Sequence, residues 1–270
     1  SLAIALFGVG ARFGVIERGS LEDMAAATFD GRGSAVSAGS QRILNGMGLW
    51  GPLFSEAAPI IEIRVADGSS PLFLHYNHRD MDQGPLGWIV ENANTRRMLA
   101  TEVSDRGLPV FEKAALSAVQ FYPSYALLDL SDGRSVNAKL VVAADGRHSA
   151  MGKMAGIDAV SWSYPQTGVV CAVQHEVSHG GITHEHFLLS GPFAILPMTR
   201  NRSSIVWTER NKLAPAIIAL DDTSYLNRKP FTWHNSTGFK RWRHFYSNLD
   251  SDSLNAYSWV AAYDWTAKSG

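Results

Sequence analysis

The sequence predicts a mixed α/β fold: a cofactor-type α/β part of Rossmann-like pattern, and a second part dominated by antiparallel sheet. Three observations predict it. Short helical stretches alternate with apolar runs typical of buried strands through the first half of the chain. From Val169 to Trp207 the pattern is almost entirely strand, punctuated by Gly180-Gly181 and Gly191-Pro192. The 270 residues are 46% hydrophobic and 18% charged, which suits one large domain or two intimate ones and rules out a disordered chain.

Each element has a local reason. Leu2 to Phe7 are good helix formers, and Gly8 and Gly10 are natural stops. Phe13-Gly14-Val15-Ile16 reads as a short buried strand ending at Glu17-Arg18. A helix, a glycine stop and a strand make half of a βαβ unit, whose first strand is expected ahead of Ser1. Ser40 to Met47 reads as a helix closed by Gly48. Ile60 to Val65 and Pro71 to Tyr76 read as strands joined by Asp67-Gly68-Ser69-Ser70. Asn94 to Ser104 reads as a helix, and Asp132-Gly133 is a hairpin signal between Tyr125–Leu130 and Ser135–Ala144. The run Leu140 to Ala144 predicts a strand covered on both faces, which ends abruptly in Asp145-Gly146. After Leu226 the composition shifts. Four tryptophans, Trp233, Trp242, Trp259 and Trp265, stand among Ser and Asn with no clear period, and this tail is expected to pack poorly on the rest.

Charge and cysteine usage exclude several classes. A net charge of −1 with no basic cluster argues against nucleic acid as a partner. Cys171 is the only cysteine, so no intrachain disulfide forms, and a reducing compartment is the simplest setting. No apolar run approaches the ~20 residues of a membrane-spanning helix. The opening residues lack a basic leader and a cleavage site, so a cytoplasmic protein is expected; peripheral membrane contact through an apolar patch stays compatible.

A few residues have chemistry-bearing positions. Glu17 closes a strand, where an acid can accept from ribose hydroxyls or simply face solvent. The stretch Gly8 to Gly14 resembles a phosphate-binding loop, but such a loop needs strand before and helix after, and here the order is reversed. Three Asp-Gly-Arg triplets occur. Asp132-Gly133-Arg134 sits between strands and reads as a turn. Asp30-Gly31-Arg32 leads into small residues that permit close backbone approach, and Arg32 could meet a phosphate or a polar ring edge. Asp145-Gly146-Arg147 ends an apolar run, the place where open α/β sheets bind ligands, although an ordinary turn is an equal alternative. His184 and His186 share one face of a strand, a geometry that could hold zinc. No third ligand stands at a convincing spacing, despite His175 and His179 nearby, so no metal is expected. No nucleophile elbow is present, and no catalytic motif surrounds Cys171.

Several segments, in order and spacing, resemble the flavin-dependent aromatic hydroxylases of ubiquinone biosynthesis, the 2-polyprenylphenol hydroxylase type related to p-hydroxybenzoate hydroxylase. They are Phe29-Asp30-Gly31-Arg32-Gly33-Ser34-Ala35, Leu86-Gly87-Trp88-Ile89-Val90-Glu91-Asn92, the stretch Val141 to Ser149 around Asp145, Gly191 to Met198, and Ser203 to Glu209. The resemblance runs from about residue 2 to about residue 226. It implies a monooxygenase with FAD as cofactor, NAD(P)H as electron donor, and oxygen and a polyprenyl phenol as substrates. It implies cofactor-binding roles for Glu17 (adenosine ribose), Arg32 (flavin and phosphates), Asn92 (ribityl region), and Asp145 with Gly146 (the motif shared by flavin and nicotinamide handling). No catalytic residue is assigned. It further implies an FAD-binding part from residues 1–65 and 95–160, substrate-domain strands from 66–94 and 161–226, and a divergent tail over 227–270. Association with a membrane surface or a ubiquinone-biosynthesis complex is compatible with such a substrate.

The departures carry expectations of their own. The family's opening strand and GxGxxG loop would stand ahead of Ser1. Its Gly-Asp-Ala-Ala-His-type segment is not found after Leu226, and Gly152 stands where an arginine is usual. The chain as given is therefore expected to be incomplete or impaired and to hold FAD weakly. The competing readings are a non-catalytic α/β fragment or binding protein of the same descent, and a nicotinamide-linked reductase with a reshaped site.

Overall fold

The computed structural model describes residues 1–68, 70, 72–80, 84–146, 149–158, 160–174, 178–221 and 224, with Ser161 and residues 261–269 described in their backbone alone. The chain begins with helix α1 (Leu2–Gly8), strand β1 (Val15–Ile16) and helix α2 (Leu21–Ala25). Strand β2 (Gly33–Ser37), helices α3 (Ala38–Gly46) and α4 (Trp50–Phe54), and strands β3 (Ala57–Ile60), β4 (Glu62–Asp67), β5 (Phe73–Asn77) and β6 (Gly87–Glu91) lead into the long helix α5 (Asn92–Asp105). Strands β7 (Val110–Phe111), β8 (Leu116–Phe121), β9 (Ala126–Leu130) and β10 (Ser135–Ala138) follow, then helix α6 (Ala150–Met154). Strands β11 (Val160–Gln174), β12 (Ile182–Leu188), β13 (Gly191–Met198) and β14 (Arg202–Arg210), helix α7 (Ala214–Ile218) and strand β15 (Ala261–Ser269) complete it. Two units result: residues 1–27, 99–164 and 266–270 in the first, and residues 28–98 and 165–265 in the second.

In the first unit, α1 stops where its glycines predict. Gly10 takes a left-handed φ of 69°, and the amides of Gly10 and Ala11 return to the carbonyls of Phe7 and Leu6. β1 pairs in parallel with β7, Val15 opposite Val110 and Ile16 opposite Phe111. Strands β8, β9 and β10 form an antiparallel meander, with Gly133 at φ 86° in its second turn. The strand expected over Leu140 to Ala144 is not formed. The ladder of β10 ends at Ala138, Leu140 is 80% exposed and Val142 is 55% exposed. A strand buried on both faces needs neighbours on both edges, and no described strand pairs with these residues.

The second unit holds two sheets. One is a three-stranded antiparallel sheet in the order β2-β6-β3. The other has seven strands in the order β15-β11-β14-β13-β12-β4-β5 and is antiparallel at every described pairing except β12 with β4. Alternation along β11, β13 and β14 puts Val169, Cys171, Val173, Phe193, Ile195, Ile205 and Trp207 on one face, where Ala214 and Ile217 of α7 join them in the core. Fully burying one Val, Ile or Phe side chain is worth ~1.5–3 kcal/mol, so this face anchors the sheet. Leu196, Ala172 and Ile63, on the other face, pack against a smaller cluster of Ile60, Ile89 and Met198.

The predicted strand Ile60 to Val65 is two strands. It breaks at Ile61, whose N–H donates to the carbonyl of Gly181 at 2.8 Å. A Cβ on Gly181 would come within 2.6 Å of the Ile61 side chain, and Gly181 has φ 71°, so this close approach requires glycine. Gly191-Pro192 opens β13 rather than interrupting a strand, because Leu188 pairs with Gly191 across a two-residue turn. The expectation of a poorly packed tail falls on residues outside those described, apart from the backbone of β15 beside β11. Among the described residues no helix is long and apolar enough to cross a membrane.

Candidate functional site

The first cluster is built on the turn Asp30-Gly31-Arg32 of the second unit. Gly31, at φ 79°, turns the chain so that the Asp30 carboxylate accepts from the Arg32 backbone N–H at 3.2 Å and from its Nε at 3.0 Å. Arg96 of α5 donates to the same carboxylate at 3.1 Å. Partial burial pushes the Asp30 carboxyl up, but the hydrogen bonds from Arg32 and Arg96 more than offset this and hold it below its ordinary value. Two guanidiniums around one carboxylate leave a local excess of positive charge.

Asn92 stands directly beside this turn. Its backbone N–H donates to the Arg32 carbonyl at 3.1 Å, and its side-chain Oδ1 accepts from the exposed Ser34 hydroxyl at 2.6 Å. The antiparallel pairing of β2 with β6, Gly33 opposite Glu91, brings them together. Gly33 is required here, since a Cβ would meet the Ile89 side chain at 2.8 Å. Arg32 and Asn92, singled out separately in the sequence, thus form one junction. Sequence reasoning missed Ser34 and Arg96 as their partners. It also missed the buried Glu91, which pairs with Arg202 at the start of β14. The only available signal was their place within the matched segments or a few residues from them.

The first unit holds the other candidates. Glu17 follows β1; its N–H donates to the Phe111 carbonyl at 3.0 Å, and its Oε1 accepts from the Gly19 N–H at 2.8 Å. Its second carboxylate oxygen remains able to accept from a ligand hydroxyl. Asp145 is exposed and caps α6: its Oδ2 accepts from the N–H groups of Ala150 at 2.8 Å and Met151 at 3.3 Å. The hydrogen bond from Ser149 is the main cause holding the Asp145 carboxyl below its ordinary value; burial opposes it, and these amides add to the lowering. Gly146 takes φ 85° in the turn between them. Asp145 therefore stands at a capped turn, and not at the end of a buried strand. Arg147 and His148 lie outside the described residues.

His184 and His186 do share a face of β12, but each is used by the fold. The His186 Nε2–H donates to the Gly68 carbonyl at 2.7 Å. His184 lies across from Arg64 and Ile195, and burial together with the Arg64 charge pushes its pKa down to about 3. His179 contacts the Met198 carbonyl and the Gly181 amide, both at 2.9 Å, and His175 lies outside the described residues. Among the described residues no three potential ligands form a metal-binding group.

Known proteins are similar to this chain in sequence and in fold. The Ubiquinone hydroxylase UbiL of Rhodospirillum rubrum is 46% identical over 223 residues, covering 82% of this chain and 51% of the relative. The mitochondrial Ubiquinone biosynthesis monooxygenase COQ6 of Mus musculus is 28% identical over 215 residues, covering 74% of this chain and 44% of the relative. The chain thus spans about half the length of the curated relatives it matches. Among solved structures, Pseudomonas aeruginosa PqsL in complex with 2-aminobenzoylacetate superposes with a TM-score of 0.74 at 18% identity, covering 97% of this chain and 69% of that one. That likeness shows the fold alone, which is the mixed α/β architecture expected from the sequence. A family model, the FAD binding domain, matches residues 1–220, and the chain belongs to that family.

Proposed function

We propose that this chain is part of an FAD-dependent monooxygenase that uses NAD(P)H and oxygen to hydroxylate a polyprenylated phenol in ubiquinone biosynthesis. The observation that carries this reading is the 46% identity to a ubiquinone hydroxylase over 223 residues, 82% of this chain.

The residues present fit the cofactor. In the second unit, the excess positive charge around Arg32 suits a phosphate or an electron-rich ring edge, and the small residues beside it allow close approach. The Ser34–Asn92 pair offers both donor and acceptor to a hydroxylated ribityl chain. In the first unit, the open oxygen of Glu17 suits a ribose hydroxyl, while Asp145 and Gly146 form an ordered turn with exposed backbone. When bound, FAD supplies the electron transfer and oxygen chemistry that protein side chains lack; the residues named here bind and orient it. This reading assigns residues 1–65 and 95–160 to the FAD part and 66–94 and 161–226 to the substrate part. It also includes a protein that meets its apolar substrate at a membrane surface or within a biosynthetic complex.

Equilibrium dialysis against FAD and NAD tests the cofactor half. FAD is held in preference to NAD; Arg32→Ala weakens it about tenfold or more, since a charge-assisted hydrogen bond is worth ~1.5–3 kcal/mol, and Asn92→Ala weakens it about two- to tenfold, since a neutral one is worth ~0.5–1.5 kcal/mol. Equal retention of the two nucleotides, or indifference to both substitutions, refutes it. The substrate half is read by mass spectrometry: with FAD, NAD(P)H and oxygen, a polyprenylated phenol gains one oxygen atom.

A further inference from the structure

The two segments carrying Arg32 and Asn92 meet a common third residue, Arg202. Its guanidinium donates to the Glu91 carboxylate, its Nε donates to the Thr199 carbonyl at 3.2 Å, and its Cζ lies 5.1 Å from the centre of the Phe29 ring. Phe29 immediately precedes the Asp30 turn, and Glu91 immediately precedes Asn92. The ion pair is well buried, with Arg202 15% and Glu91 9% exposed. Arg202 is itself held firmly: it pairs with Met198 across the β13–β14 turn, where Arg200 and Asn201 both take left-handed φ values of 60° and 54°.

A buried ion pair contributes little net stability compared with an apolar replacement, because desolvation offsets the attraction; its better-attested use is in fixing register. A planar guanidinium suits that task, since it can pair with a carboxylate and stack on an aromatic ring at once. We infer that Arg202 is a positioning residue for the proposed cofactor site: through Glu91 and Phe29 it sets where Asn92 stands relative to Arg32. The inference rests on the FAD reading for its functional meaning and on the geometry of this junction for its structural content. Arg202 touches neither Asn92 nor Arg32 in any of these contacts. It acts on their neighbours, and the bonds from Asn92 to the Arg32 carbonyl and to Ser34 are what it keeps in place.

Hydrogen exchange on the full chain, with FAD dialysis in parallel, tests this. In Arg202→Gln the Asn92 amide exchanges at least tenfold faster, while the amides of Ile205 and Trp207, further along the same strand, keep their rates. FAD affinity falls about tenfold alongside. Arg202→Lys keeps the charge and loses the fork, so it restores part of both effects. Arg134→Gln, at an exposed pair, changes neither. Should Arg202→Gln not fold, Arg202→Lys and Glu91→Gln carry the test, each accelerating Asn92 selectively. Uniform acceleration across the second unit, or an unchanged Asn92 amide, overturns the inference. If the parent chain ignores FAD, the cofactor reading fails on its own, and the exchange pattern still decides whether Arg202 positions Asn92.

Discussion

Asp30-Gly31-Arg32 and Asp132-Gly133-Arg134 are the same triplet folded the same way in two units. In each, the glycine takes a left-handed φ, 79° in one and 86° in the other. In each, the aspartate accepts from the backbone N–H two residues on, at 3.2 Å and 3.1 Å, and from the guanidinium of the same arginine. What differs is the company. Asp30 is half-buried and shares its carboxylate with Arg96 from a helix distant in sequence. Asp132 sits on an exposed hairpin, and its arginine lies over the Phe111 ring, 4.9 Å from its centre. A local motif is thus the same conformational device in both places. Only the second arginine and the neighbouring Asn92 make one of them a candidate binding junction.

Acid should widen the contrast most, because the second unit also buries His184. Its pKa is pushed down from 6.5 to about 3 in the folded state. The unfolded chain therefore binds the proton first, and stability that is present above pH 6.5 is lost as pH falls from there toward 3. The loss is ~1.4 kcal/mol per pH unit within that window. Asp30, whose carboxyl is held below its ordinary value, adds a further loss below about pH 4. Urea melts at pH 7, 5.5 and 4.5 measure this. His184→Gln flattens the first phase, and an unchanged slope in that variant would show that another group carries the proton.

Removing the carboxylates separates the two turns next. Asp30→Ala leaves Arg32 and Arg96 facing each other and costs about 1–2 kcal/mol after allowance for solvent screening. Asp132→Ala, on an exposed hairpin and beside the half-exposed Arg134, leaves the melting temperature nearly unchanged. Equal effects in the two variants would mean that burial does not distinguish the turns.

Changing the glycines sharpens the likeness instead. Gly31→Ala and Gly133→Ala each force a side chain into the left-handed region, at about 1–2 kcal/mol apiece. The matching size of these two losses is the expected result. A much larger effect at Gly31 would show that packing, and not backbone strain, sets the cost there.

The smallest difference is in salt. At about 1 M salt the screening length falls to ~3 Å, so an exposed pair such as Asp132–Arg134 loses most of its attraction while a half-buried one loses less. The carboxyl pKa of Asp132, followed by NMR, therefore rises toward its ordinary value with salt more than that of Asp30. The reverse order would contradict their assigned burial.

Legibility in the sequence followed distance along the chain. The stop of α1 at Gly10, the Asp132-Gly133 turn and the N-cap of α3 by Ser37 each involve a few neighbouring residues, and the first two were read correctly from residue type. The strands from Val169 to Trp207 were legible because alternation is itself a local pattern. Leu140 to Ala144 misled, because apolar content reports a wish for burial and says nothing of whether neighbouring strands are present to supply it. Ile60 to Val65 misled because the break at Ile61 depends on Gly181, more than a hundred residues away.

By itself, then, the sequence determined where the backbone turns, which strands alternate, and which residue types stand ready for a cofactor. These follow from steric limits on φ and from side-chain periods of a few residues. Tertiary structure alone decided that Asn92 meets Arg32 and Ser34, that Arg96 joins Asp30, and that Arg202 reaches Glu91 across a separation of 111 residues. Such meetings depend on sheet register, and a slip of one residue would turn every side chain of a strand to the opposite face.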